Sequence, residues 1–384
     1  MRLAIGTMSG TSMDGVDVAL IETDGETIGS FGPTLLRPYD EMERAHIAAA
    51  LAEGPRLTRR DERPAETAIA ERIVTRAHHD AIAQFLDING LDREAVSVVG
   101  FHGQTVFHAP KRRLTVQIGD GPGLARALGI AVVHDFRAAD VAAGGEGAPL
   151  VPVFHAALAA RAGLRAPVAI LNIGGVANIT LIDADGGLLA FDTGPGNALL
   201  DDWVGRHTGR FMDADGRISG QGRVDEARLA QFLAHPFFAA PPPKSLDRNA
   251  FDLAMLDGLT LEDGAATLAA FTAAAVARAL EHMSGQDPAA RPGSAGGLGQ
   301  GGAMRPATLV VAGGGAHNPT LLRMLAERTG ARVRPAGEIG LSTDFLEAQA
   351  FAYLAVRSLR GLPLTFPGTT GVAAPTPGGV LARP

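Results

Sequence analysis

Gly6-Thr7-Met8-Ser9-Gly10-Thr11-Ser12-Met13-Asp14-Gly15-Val16-Asp17 is the stretch that decides the fold. The apolar residues 3–5 enter it as a short buried strand, and residues 16–22 leave it as an alternating one. The segment therefore reads as a hairpin with a long polar tip. Glycine lets a backbone turn through positive φ and come close to a ligand. A row of N–H groups exposed in this way can cradle phosphate oxygens, with Ser and Thr hydroxyls as further donors. Asp14 and Asp17 offer the carboxylate oxygens that Mg²⁺ prefers, directly or through water. No Lys follows a glycine at P-loop spacing, so this is a phosphate loop of another kind. Its candidate nucleotide-binding residues are Gly10, Thr11, Ser12, Met13, Asp14, Gly15, Val16 and Asp17, and Asp14 is the candidate metal ligand.

The same grammar returns after Pro167. Residues 168–173 read as a buried strand, Gly174-Gly175 as a turn, and 177–182 and 188–192 as further strands. Gly174, Gly175 and Asn178 could grip the other side of a polyphosphate; a plain hairpin turn is the competing reading. In Phe191-Asp192-Thr193-Gly194-Pro195-Gly196-Asn197 a strand delivers an acid to its carboxyl end, where ligands of open α/β sheets sit. Asp192 is the candidate general base in a phosphoryl transfer. Gly313, Gly314, Gly315 and Asn318 end another strand at a helix start, where bare backbone suits an adenine or ribose.

Helical spacing recurs at 41–53, 64–87, 123–128, 151–162, 198–208, 264–284, 319–329 and 344–360. Strands alternating with helices indicate an α/β class. Strand, glycine turn, strand opens both halves without shared residues, which points to an architectural duplication. At 384 residues the chain exceeds one ordinary core. We expect lobes at 1–165 and 166–384, with the last residues packing back on the first. Residues 286–306 are low in complexity and read as a surface insertion.

Bulk properties narrow the function. A net charge of −7 gives nucleic acid or a membrane surface no positive partner. The absence of cysteine excludes disulfides, iron–sulfur clusters, thiolate zinc sites and a Cys nucleophile. Met1-Arg2-Leu3-Ala4-Ile5 has no signal-peptide core, and no stretch approaches the roughly 20 apolar residues of a membrane span. A cytoplasmic enzyme of small molecules is expected. His102 and Gln104, then Arg137 and Asp140, are polar groups at strand ends and suit a hydroxylated or carboxylated ligand. Arg137 can hold a carboxylate bidentately.

Taken in order, segments 6–17, 101–105, 117–120, 135–140 with 144–150, 172–178, 191–197, 313–318 and Glu347-Ala348-Gln349-Ala350-Phe351 resemble the anhydro-N-acetylmuramic acid kinases. The likeness covers nearly the whole chain. It implies a two-lobed, actin-like ATPase (ribonuclease H-like) fold with duplicated mixed sheets and flanking helices. It also implies a reaction in peptidoglycan recycling: ATP, water and 1,6-anhydro-N-acetylmuramic acid give N-acetylmuramic acid 6-phosphate and ADP. The residue matching Asp192 would activate the water that attacks C1. Asp120, Gly194 and Glu347 join His102, Gln104, Arg137 and Asp140 as sugar-binding candidates. ATP and Mg²⁺ are the implied cofactors, and a homodimer the implied assembly. Where the family often has Lys-Ser-Thr-Gly-Arg, this chain has Lys244-Ser245-Leu246-Asp247-Arg248. A kinase of another sugar and a non-enzymatic ATP switch are the competing readings.

Overall fold

The computed structural model describes residues 1–10, 12–284, 306–341 and 344–384. Thr11 and residues 286–305 of the expected insertion lie outside the described residues. Along the chain run β1 (Arg2–Met8), β2 (Gly15–Thr23), β3 (Ile28–Pro38), α1 (Glu41–Glu53), α2 (Ala65–Ile88), β4 (Val98–Phe101), β5 (Gln104–Ala109), β6 (Leu114–Ile118), α3 (Gly121–Leu128), β7 (Val132–His134), α4 (Ala138–Ala142) and α5 (Pro152–Arg161). There follow β8 (Val168–Ile173), β9 (Val176–Ile182), β10 (Leu188–Pro195), α6 (Ala198–Thr208), α7 (Glu226–Leu233), α8 (Leu261–Ser284), β11 (Thr308–Ala312), α9 (Pro319–Thr329) and β12 (Arg332–Pro335). The last elements are α10 (Leu346–Leu359), α11 (Pro367–Thr370) and β13 (Val380–Ala382). Among the described residues no helix is long and apolar enough to cross a membrane.

The chain forms two compact units: Met1–Arg161 with Asp344–Pro384, and Ala162–Thr343. The first is built on a six-stranded sheet in the order β13-β7-β4-β1-β2-β3. β1 runs antiparallel to β2 and parallel to β4. One face of this sheet carries Ile5, Val16, Val18 and Val99, which pack in one core with Val74, Ala77, Ile82 and Phe85 of α2. Each large side chain so buried contributes about 1.5–3 kcal/mol relative to exposure.

The other face explains where the chain's end goes. Residues 344–384, which follow the second unit along the chain, belong to the first. Gly6 and Gly100 are paired across β1 and β4. A Cβ on Gly6 would collide with Ala348 O and Ala352 N of α10, and one on Gly100 with Phe351 O. The two glycines make a flat floor, and the alanines of α10 let its backbone settle onto it. The glycine that opens the polar tip is thus there for a helix.

The second unit holds a five-stranded sheet, order β10-β9-β8-β11-β12. β8, β9 and β10 form an antiparallel meander, while β11 is parallel to β8. Leu171, Ile173 and Ile179 of the sheet share a core with Trp203 of α6 and Ala269, Ala273 and Val276 of α8.

Candidate active site

In the first unit the tip between β1 and β2 is a braced turn. Met13 N donates to Gly10 O at 3.2 Å, and Met13, not a glycine, takes positive φ, at 55°. Gly15 is required elsewhere: its missing Cβ makes room for Arg37 O of β3. Two of the four hydroxyls expected to face phosphate are spent inside. Thr7 Oγ1 donates to Gly100 O at 3.3 Å. Ser9 Oγ donates to Gln104 Oε1 at 2.6 Å and lies 2.9 Å from Tyr39 Oη. Gln104 Nε2 donates to Gly10 O at 3.2 Å. Gln104, expected to hold sugar, therefore holds the tip, and Tyr39 joins it from the short link between β3 and α1. Ser12 and Asp14 remain exposed.

Asp17, at the start of β2, is held up to about 6 by burial, reinforced by the like charges of Glu347, Asp14 and Asp344. It makes no ion pair among the described residues. Such carboxylates fit Mg²⁺, whose charge relieves their repulsion. Among the described residues no three ligands are preassembled, and Mg²⁺ bound by one or two carboxylates keeps waters and phosphate oxygens as its other ligands.

Arg137 is anchored behind this region. Its Nη1 donates to Gly147 O at 2.9 Å and its Nη2 to His102 Nε2 at 3.2 Å. His102 Nδ1 donates to Gly103 O at 2.8 Å, so its Nε2 is the accepting nitrogen. Burial, then the neighbouring Arg137, pushes His102 down to about 3 and keeps it neutral. Phe351 lies against the His102 ring at 4.7 Å. His102, expected to touch sugar, supports Arg137 instead. Glu347 stands at the start of α10. Its side chain is exposed, yet desolvation by the surrounding protein raises its pKa and Arg137 opposes the rise.

Two other expected sugar ligands have different work. Asp140 is buried, and both oxygens are taken: Gly147 N donates to one at 2.6 Å and Thr370 Oγ1 to the other at 2.6 Å. It ties α4 to α11 and to the 144–147 turn. Asp120 caps α3, accepting from Gly123 N at 2.8 Å.

In the second unit three glycine motifs meet. Asn197 N and Gly196 N donate to Gly174 O at 2.7 Å and Gly175 O at 3.0 Å, which ties the β8–β9 turn to the start of α6. Gly313 adopts φ 74°, and a Cβ there would lie 2.6 Å from Asn172 Oδ1. One on Gly315 would lie 2.5 Å from Ile173 Cβ. The carboxyl ends of β8 and β11 and the start of α6 are thereby drawn together with their backbones bare. Gly174 and Gly175 have ordinary room around them, with nothing nearer than 3.6 Å. Asn318 is the N-cap of α9, accepting from Leu321 N at 3.0 Å, and Gly194 is a packing glycine whose Cβ would lie 2.7 Å from Ala275 Cβ of α8.

Asp192 sits one strand from these glycines. Asn172, Asn178 and Asp192 form one polar rung across β8, β9 and β10. A bulge between Asp192 and Gly194 breaks the register just beyond it, and bulges re-aim side chains in this way. Asp192 Oδ2 accepts from Leu246 N at 2.8 Å, and Asp192 N donates to Lys244 O at 3.0 Å. Burial pushes the carboxyl up to about 6, with the Leu246 N–H pulling the other way. A family model described as anhydro-N-acetylmuramic acid kinase matches residues 2–383. The chain belongs to that family. An anhydro-N-acetylmuramic acid kinase of Nitrobacter winogradskyi is 55% identical over 385 residues, covering 100% of both chains. One of Methylobacterium nodulans is 55% identical over 391 residues, 99% of this chain and 100% of its own. The solved (R)-2-hydroxyglutaryl-CoA dehydratase component A of Acidaminococcus fermentans aligns over 94% of this chain and 100% of its own, at 11% identity and a TM-score of 0.45. That degree of likeness carries no functional inference.

Proposed function

We propose that in this ATP-dependent anhydro-N-acetylmuramic acid kinase Asp192 is the base that starts the reaction. The observation that carries this is a half-buried carboxylate with no ion pair among the described residues, held up at about pH 6 at a strand end beside the converging glycine turns. A base with its pKa near the working pH combines availability with proton affinity. Asp192 takes a proton from water, and the water oxygen bonds to C1 of the anhydro sugar. The C1–O6 bond breaks, O6 takes the γ-phosphoryl group of ATP, and ADP leaves. Glycosidic cleavage ordinarily uses an acid as well as a base; here phosphoryl capture of O6 replaces the acid.

In the first unit the tip residues Gly10, Ser12, Met13 and Asp14 would meet phosphate, and in the second Gly174, Gly175 and Gly313–Gly315 would meet nucleotide. Arg137 and Glu347 are the side chains left to meet the sugar. Asp14 and Asp17 would hold Mg²⁺, which supplies charge neutralisation for the phosphates. A homodimer working in the cytoplasm on small molecules completes the reading, and light scattering of the purified protein checks the dimer.

The test uses ¹⁸O water with ATP, Mg²⁺ and the anhydro sugar. The expected product is a 6-phosphate carrying label on the C1 oxygen. Label found only in phosphate overturns the route.

A further inference from the structure

Asp192 owes its environment to the segment 244–248 rather than to any charged neighbour. Asp192 N donates to Lys244 O at 3.0 Å and Leu246 N donates to Asp192 Oδ2 at 2.8 Å, so the two segments grip each other by backbone on either side of the carboxylate. The surrounding charges are engaged elsewhere. Lys244 Nζ donates to Phe237 O at 2.9 Å and lies 4.4 Å from the Phe237 ring centre. Arg248 pairs with Asp202 at 3.4 Å. Arg278, on α8, donates to Leu233 O at 2.8 Å. Asp201, on α6, is raised to about 6 by its own burial and by Asp202, and Asp247 faces solvent. Among the described residues the one donor that reaches the Asp192 carboxylate is an amide.

We propose that Leu246 is a positioning residue for the reaction: its main-chain N–H fixes Asp192 by Oδ2 and leaves Oδ1 as the oxygen that takes the proton from water. The inference rests on Asp192 being the base. Its physical sense is that a base needs orientation without loss of proton affinity. A Lys or Arg in this place would orient the carboxylate but hold its pKa far down. A single amide orients it, lowers its pKa less than burial raises it, and cannot itself titrate. Burial then keeps the group close to neutral. Because the contact is main-chain, the side chain at 246 takes no part. That explains how a leucine can stand there.

The test uses the intact protein labelled with ¹⁵N-leucine, and Leu246→Ala identifies the signal by its loss. The Leu246 amide resonance is expected to move with a midpoint near 6 as Asp192 ionises, and to stay fixed in Asp192→Asn. An amide that does not respond overturns the proposal. If it responds while Asp192→Asn keeps most of its rate, the hydrogen bond stands and the reading of Asp192 as base falls. Rates give a second arm. Leu246→Pro, which lacks the N–H, should shift the acid limb of kcat to higher pH by at least about threefold in proton concentration, or half a pKa unit. Leu246→Ala should leave the limb in place. An equal shift in both variants overturns the role of the N–H. If Leu246→Pro does not fold, the amide titration alone decides.

Discussion

The tip of the first unit and the Asp192 turn of the second are both polar loops at strand ends, yet they are held in different ways. The tip is braced by side chains: Gln104 and Tyr39 reach in to Ser9 and Gly10. The Asp192 turn is braced by backbone: a bulge, the Leu246 N–H and the Lys244 carbonyl. A side-chain brace fails when one residue changes. A backbone brace tolerates changes of side chain and fails when the chain path moves. Asp192 sits in the second kind of frame, where only its own identity is exposed to substitution.

Removing that identity should have the largest effect. Asp192→Asn is expected to lower kcat by about 10²–10⁴-fold, with ATP binding nearly unchanged. In the parent, kcat should fall as pH drops through about 6, the acid limb of Asp192. Stability should run the other way. The folded pKa, about 6, lies above the ordinary 3.8, so ionisation opposes folding and stability declines as pH rises between the two values. Thermal melts of Asp192→Asn at neutral pH should therefore show no loss of Tm. A lower Tm would mean that the carboxylate is structural.

Glycines separate the two frames next. Gly6→Val drives a side chain into the backbone of α10 and should cost several kcal/mol, about 1–3 or more, read as a fall in denaturation midpoint. Gly174→Ala meets nothing nearer than 3.8 Å and should leave stability almost unchanged, so any rise in its KM for ATP reports contact with nucleotide. Gln104→Leu leaves Ser9 Oγ and Gly10 O without this partner. About 1–3 kcal/mol of stability should go, together with weaker ATP binding. If the KM for the sugar rises instead, Gln104 is a sugar ligand after all. The smallest effect belongs to Asn318→Ala. Loss of the cap should cost about 1 kcal/mol without touching KM for ATP; a raised KM would return Asn318 to the nucleotide site.

The α/β class was legible, and the polar hairpin tip, the three later glycine motifs and Asp192 stood out as candidates, because each is a local pattern: an apolar run, then small or acidic residues. What was not legible depended on partners distant in sequence. β3 escaped notice because its residues face solvent on much of both sides, which blurs the alternation. Gly6 and Gly15 looked like ligand-facing glycines, and only the positions of α10 and β3 show that they clear a path for protein. His102, Gln104 and Asp140 were rightly read as unusual polar residues at strand ends. Their donors and acceptors are satisfied by Gly103, Ser9 and Thr370, one to 230 residues away, and no spacing rule reveals that. Leu246 carried no signal at all, since its contribution is an N–H that nearly any residue supplies.

The floor made by Gly6 and Gly100 also sets an order of events. Those glycines stay bare until α10, whose Ala348 lies 342 residues after Gly6 and whose Phe351 lies 251 after Gly100, arrives to cover them. During synthesis the second unit, Ala162–Thr343, is complete before the first can close over its sheet. This strongly non-local contact is thus also among the last to form, and such contacts slow folding. Glu347 rides on that helix. The first unit therefore gains this carboxylate only when the chain is almost finished, so a partly made chain carries the β1–β2 tip without its full acidic neighbourhood.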